Sequence, residues 1–215
     1  MKVLAINGSP RKNGNTNNIL ELMGKEITND GIEFEILHVG AKQIRGCVAC
    51  DACIFSDDHR CVMADEEFSN WLDKIEQADG LILASPVYFA NIPGTFKCFL
   101  DRVFCGHGYI SSGKVAACVA VLRRTGGSAA YSELLNYVVT GDMILAPSRH
   151  FNVVHGALKG EAILDDEGME TVLGVARNIA WLLKCLEKAK IPKPDTPKTW
   201  NVTNFIREDL KKADG

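Results

Sequence analysis

The stretch VLAINGSPRKNGNTNN, residues 3–18, is a short apolar run that ends in a turn crowded with small, amide and basic side chains. Val3, Leu4, Ala5 and Ile6 have the unbroken apolar character of a buried parallel strand, and the apolar pattern resumes at Ile19, Leu20, Leu22 and Met23 with helical spacing. A strand that enters a helix through such a turn sets the free N–H groups of the first helical turn, and the positive end of the helix dipole, beside the loop. Ser9, Arg11, Asn15, Thr16 and Asn17 add side-chain donors, so the segment suits an anion, and a monophosphate fits best. The spacing matches neither the P-loop nor the dinucleotide fingerprint. The plain alternative is a polar loop with an asparagine N-cap.

Further apolar runs lie at 32–39, 81–84, 115–122 and 143–146, with helical patterns between most of them. Residues 66–78 carry Phe68, Trp71, Leu72 and Ile75 on one face, and 94–104 carry Phe96, Phe99, Leu100 and Val103 behind Pro93, a good first-turn residue. Another helix is expected over 128–139. A last one over 168–188 presents Val172, Val175, Ala176, Ile179, Leu182, Leu183 and Leu186, and the acidic run 165–168 starts it, where carboxylates suit the dipole. Strands alternating with helices imply a doubly wound α/β domain over 1–190: a five-stranded parallel sheet with right-handed crossovers, helices on both faces, and ligands at the carboxyl ends of the strands. After Lys190, Pro192, Pro194 and Pro197 forbid a continuing helix, so 191–215 is expected as a proline-rich arm with one short helix near its end.

The 215 residues carry a formal charge of −3 and 47% hydrophobic residues, which leaves no basic face for nucleic acid. The N-terminus shows neither a secretory h-region nor a membrane span, so the cytoplasm is the expected compartment, and eight cysteines there are thiols or metal ligands rather than structural disulfides. His38, His59, His107, His150 and His155 form no metal-ligand spacing and accompany no nucleophile motif, which excludes a hydrolase; His150 and His155 are read as hydrogen-bonded structural residues.

Two more loops face the same sheet edge. ASPVYFANIPG (84–94) sets Pro86, Tyr88, Phe89 and Asn91 at a strand's carboxyl end, where backbone and rings suit a flat heterocycle. RRTGGS (123–128) has paired glycines that let the backbone approach a ligand, while Arg123 and Arg124 are read as solvated charges outside the site. The motifs GSPRKNGNT (8–16) and SPVYF followed by PGTFKCFLDR (85–102) resemble the flavodoxin-like NAD(P)H-dependent FMN reductases over roughly residues 1–188. That resemblance implies a flavodoxin-like fold with Ser9, Arg11, Asn15, Thr16 and Asn17 on the FMN phosphate. It implies Pro86, Val87, Tyr88, Phe89 and Asn91 along the isoalloxazine ring, and Thr125, Gly126 and Gly127 at its pyrimidine edge.

Cys47, Cys50, Cys53 and Cys61 form C-x2-C-x2-C-x7-C in a stretch, 40–64, without a clear secondary-structure pattern. The first three copy the compact run of bacterial ferredoxins, and four thiolates suffice for one [4Fe-4S] cluster. Zinc prefers two separated knuckles and suits the spacing less well; free thiols and a regulatory disulfide stay open. The charges of Asp57, Asp58, His59 and Arg60 make the segment an exposed one. Cys98, Cys105, Cys118 and Cys185 stand among apolar residues and are expected to be buried. With this cysteine pattern the chain resembles the iron–sulfur flavoproteins of anaerobes. The implied activity is FMN-dependent electron transfer from NAD(P)H or ferredoxin to a quinone-like acceptor, in a homodimer or homotetramer. A flavodoxin-type carrier and a thiol or zinc redox sensor are the competing readings.

Overall fold

The computed structural model describes residues 1–56 and 59–194; the short helix expected near the C-terminus lies outside them. Six strands form one parallel sheet: β1 (Lys2–Asn7), β2 (Glu33–His38), β3 (Gly80–Pro86), β4 (Val115–Leu122), β5 (Ile144–Leu145) and β6 (Val153–His155). The spatial order is β2-β1-β3-β4-β5, with β6 also paired to β4, the order of flavodoxin-like sheets.

Period-two alternation assigns the faces. From β1 and β4, Val3, Ala5, Val115, Ala117, Val119 and Val121 pack with Ile19, Leu20, Met23 and Ile27 of α1 (Asn15–Asn29) and with Val172, Val175, Ala176, Ile179 and Leu183 of α6 (Asp166–Ala189). Leu4, Ile6, Leu81, Leu83, Ala116 and Ala120 point the other way. They meet α3 (Glu66–Gln77), α4 (Gly94–His107) and α5 (Gly127–Thr140). Each fully buried aliphatic side chain contributes about 1.5–3 kcal/mol, so the four apolar residues of α1 alone hold that short helix on the sheet. The helices are capped as their sequences dictate: Asp65 accepts from the Phe68 amide at 2.8 Å to start α3, and Asp165 from the Gly168 amide at 3.1 Å to start α6.

The fifth strand differs from the expected run 143–146. It is split into β5, opposite Val115 and Ala116, and β6, opposite Ala120 to Leu122. Pro147 has no N–H to continue the ladder, and the chain leaves the sheet until Asn152. Fully buried Asn152 repairs the gap, because its Nδ2 donates to the Cys118 carbonyl at 2.9 Å and its own carbonyl accepts from Ala120 N at 2.9 Å. A further short helix, α2 (Ala52–Phe55), stands inside the cysteine stretch. No helix among the described residues is long and apolar enough to cross a membrane.

Candidate functional site

The carboxyl ends of β1, β3 and β4 open onto a cleft of about 340 Å³ lined by Ser9, Arg11, Gly14, Asn15, Thr16, Pro86, Val87, Tyr88, Val121, Leu122, Arg123, Gly156 and Ala157. One end is polar. Asn7, fully buried at the end of β1, accepts the Ser9 amide on its Oδ1 at 2.9 Å, an Asx turn that bends the chain out of the sheet. The Ser9 hydroxyl accepts the Arg11 amide at 3.2 Å. Gly14, rather than an asparagine, is the N-cap of α1, and no side chain caps the helix. The first helical amides, of Asn15, Thr16 and Asn17, therefore keep their donor capacity at the positive end of the dipole. Arg11 and Lys159 flank this end.

The other end is apolar, between Pro86, Val87 and Tyr88 on one side and Val121 and Leu122 on the other. Val87 N donates to Val121 O at 3.1 Å and fixes the two walls together. Tyr88 and Asn91 exchange backbone hydrogen bonds of 2.7 and 3.0 Å around Phe89 and Ala90, whose φ angles are +47° and +62°. Two non-glycine residues held in the left-handed region mark a tight, strained turn. Gly126, at φ +89°, lies against it, and a Cβ there would stand 2.5 Å from Ala90 Cα.

Of the residues expected to hold a flavin, Ser9, Arg11, Asn15, Thr16, Pro86, Val87 and Tyr88 line the cleft, and Asn17, Phe89, Asn91, Thr125, Gly126 and Gly127 do not. Asn17 is spent on Asn7 and Glu21, Phe89 is fully exposed at the tip of its turn, and Asn91 Oδ1 accepts the Ile92 amide. Gly126 is the N-cap of α5 and backs the 86–91 turn, while Gly127, the first residue of α5, packs toward Val153 and Leu122. The Asn15 side chain ties down the 156–160 segment: Nδ2 donates to the carbonyls of Gly156 and Leu158 at 3.2 and 2.9 Å, and Oδ1 accepts from Gly160 N at 2.7 Å. Arg123, which the sequence reading leaves among solvated charges, lines the cleft. The contribution of Gly156 and Ala157 is missed by that reading, because their place beside the 9–16 turn depends on β6.

Cys47, Cys50, Cys53 and Cys61 converge on a second, small cavity of about 40 Å³, together with Met63 and with Arg102, Cys105 and Gly106 of α4. Cys105 is thus a correction to the expectation of buried apolar thiols, as is exposed Cys185; Cys98 is half-buried, and Cys118 alone of the four is buried. Burial and the neighbouring thiols push Cys53 up, and burial with contact to Cys47 pushes Cys105 up. Thiols crowded in this way resist ionisation, and a cation among them reverses that preference.

Three observations bear on whether this donor set suits a metal–thiolate group. The lining is thiol-rich, which matches soft metal chemistry. Gly106 leaves room at Cys53, because a Cβ there would stand 2.9 Å from Cys53 Sγ. Arg102, buried beside Cys61, keeps its Nε without a partner. Among the described residues no three Cys, His, Asp or Glu side chains already stand in ligating positions. The residues fit the group in chemistry and place.

The model of the NADPH-dependent FMN reductase family matches residues 1–157. An iron-sulfur flavoprotein of Methanocaldococcus jannaschii is 31% identical over 196 residues, covering 87% of this chain and 100% of its own; one of Archaeoglobus fulgidus is 32% identical over 181 residues, covering 84% and 79%. An Escherichia coli FMN reductase (NADPH) is 23% identical over 203 residues, covering 91% and 95%. Among solved structures, a flavone reductase superposes with a TM-score of 0.69 at 20% identity, over 88% of this chain and 65% of that one. An archaeal flavodoxin superposes with a TM-score of 0.56 at 14% identity, over 86% and 99%.

Proposed function

Because the chain belongs to the NADPH-dependent FMN reductase family, in its iron–sulfur flavoprotein subgroup, and is an FMN-dependent oxidoreductase, we propose that the cleft at the sheet's carboxyl edge is its flavin site and that Cys47, Cys50, Cys53 and Cys61 carry one [4Fe-4S] cluster. The observation that supports the reading best is the polarity of the cleft: uncapped helical amides with Arg11 at one end, and the Pro86–Tyr88 and Val121–Leu122 walls at the other. A phosphorylated, otherwise flat and apolar ligand matches both ends.

In this reading the amides of Asn15, Thr16 and Asn17 and the Ser9 hydroxyl bind the phosphate, and Arg11 offsets its charge. Val87 and Tyr88 cover one face of the ring system. Asn15 holds the 156–160 segment as the far wall, and Arg123 sits where an anionic edge or an anionic substrate would be met. Bound there, FMN supplies hydride and single-electron chemistry, and the chain contributes position, electrostatics and access. The proposed donor is NAD(P)H or reduced ferredoxin, the proposed acceptor a quinone-like molecule or a protein partner, and the proposed setting a cytoplasmic homodimer or homotetramer.

The test is anaerobic purification followed by quantification of released FMN, iron, acid-labile sulfide and zinc in one sample, with turnover against NADH and NADPH. One FMN with four iron and four sulfide per chain, the stoichiometry of about one cubane, is the expected result. Zinc in place of iron would remove the cluster from the proposal, and absence of flavin would remove the cleft.

A further inference from the structure

Arg102 lines the cysteine cavity as a buried guanidinium whose Nε has no partner among the described residues. It sits in the second half of α4, 8% exposed, with its guanidinium carbon 3.9 Å from the centre of the Phe68 ring. Its Nη2 donates to the Met63 carbonyl at 2.9 Å and to Cys61 Sγ at 3.6 Å, and its Nε has no partner. Among the described residues no carboxylate pairs with it. A buried guanidinium without an anion is costly, and contact with a ring face offsets only part of that cost. The anionic chemistry within reach is sulfur.

Cys61 is held from α4 at two points. Its amide donates to Nε2 of buried His107 at 3.1 Å, so that amide is turned away from sulfur, and the N–H group facing Cys61 Sγ is that of Arg102. Both residues lie on a helix packed into the core rather than on the cysteine loop, so the position of the charge is set by the core.

We propose that Arg102 is the fixed counter-charge and sulfur hydrogen-bond donor of the cysteine site, a positioning residue that favours a negatively charged metal–thiolate group and raises its reduction potential. The proposal rests on the cluster reading given above. A reduced cluster carries one more negative charge than the oxidised one, and a nearby cation that donates to a ligand sulfur stabilises the reduced form more. Removing it shifts the potential to more negative values.

The experiment compares wild type with Arg102→Gln, which keeps an N–H donor and loses the charge, and Arg102→Met, which loses both. Iron and acid-labile sulfide are measured per chain after anaerobic purification, and the midpoint potential by redox titration; circular dichroism reports the fold. The expected result is a negative shift in R102Q, a larger shift with partial loss of iron in R102M, and unchanged helical signal. If R102M fails to fold, R102Q decides alone. Full iron and sulfide in R102Q at the wild-type potential would overturn the proposal and leave Arg102 as a tie for the 61–63 turn. Wild type without iron and sulfide would overturn the cluster reading, and this proposal with it, a result distinct from an unshifted potential.

Discussion

Replacing Asn15 by alanine separates a phosphate ligand from a loop tether. The side chain makes three hydrogen bonds across the chain, to Gly156 O, Leu158 O and Gly160 N. At a net ~0.5–1.5 kcal/mol each, they hold the 156–160 segment by about 1.5–4.5 kcal/mol, and partial exposure places the loss near 2 kcal/mol, roughly the lower half of that range. The segment keeps other ties, since Glu161 Oε2 accepts the amides of Ala157 and Leu158 at 2.9 and 2.7 Å and Gly156 N donates to Leu122 O at 2.8 Å. It therefore loosens without detaching. A 2 kcal/mol loss is about a thirtyfold change in a local opening equilibrium, at roughly 1.4 kcal/mol per factor of ten. Hydrogen exchange on FMN-free N15A should show that acceleration at the Gly160 amide and its neighbours, with β1 and β4 unchanged. FMN affinity should fall about tenfold, because one wall of the cleft is no longer held. Weakened FMN binding with wild-type exchange over 156–161 would refute the tether and make Asn15 a direct ligand.

Gly126→Ala places a Cβ 2.5 Å from Ala90 Cα at a φ of +89°, so it should cost about 2–4 kcal/mol from backbone strain and overlap, read as a lower urea midpoint, and should weaken FMN binding by displacing the 86–91 turn. Asn152→Ala leaves the Cys118 carbonyl without its 2.9 Å donor and should lower unfolding free energy by about 1–3 kcal/mol. Asp165→Ala removes the α6 cap, a loss of about 1 kcal/mol at neutral pH. Burial by itself would raise the Asp165 carboxyl, but donation from the amides of His155 and Gly168 and from the His155 ring outweighs it and holds the group below its usual 3.8. Its stabilisation is therefore intact above pH 3.8 and is lost as the pH falls through the depressed native value, so wild type and D165A should converge in acid; a gap that persists at the lowest pH the fold survives would contradict the assignment. Cys105→Ser should retain iron and sulfide that serine at 47, 50, 53 or 61 abolishes, and loss of iron in C105S would move Cys105 into the ligand set.

What the sequence discloses is what lies close together along it. The strand, turn and helix over 3–29 are encoded in contiguous residues and fold as expected, and the cysteine quartet is contiguous enough to be seen as a group, which the fold gathers along one cavity. The split fifth strand is harder to see, because a buried asparagine side chain stands in for a ladder hydrogen bond and the two apolar pairs at 144–145 and 153–154 are each too short to show a period. Arg123, Gly156 and Ala157 enter the cleft only through strand register, Leu122 lying opposite His155. Cys105 looks like a core residue among Val103 and Phe104, yet the helix turns it outward to face cysteines more than forty residues earlier.

One element joins the two sites. Helix α4 begins directly after the turn that walls the cleft, and its last turns supply Arg102, Cys105 and Gly106 to the cysteine cavity and His107 to the Cys61 amide. At ~1.5 Å per residue, Gly94 to Arg102 spans about 12 Å and Gly94 to Gly106 about 18 Å. That spacing is held from outside as well as from the core. Lys97 reaches Asp101, Glu133 and the Tyr137 hydroxyl at 2.9, 3.2 and 2.9 Å, and Tyr137 donates to Asp101, so α4 is fastened to α5 midway between the sites. Burial, then the bond to Asp101, pushes Tyr137 up to about 12, which keeps its hydroxyl protonated and donating across the physiological range. The helical half of the cysteine cavity, and its distance from the cleft, are therefore set by one packed helix.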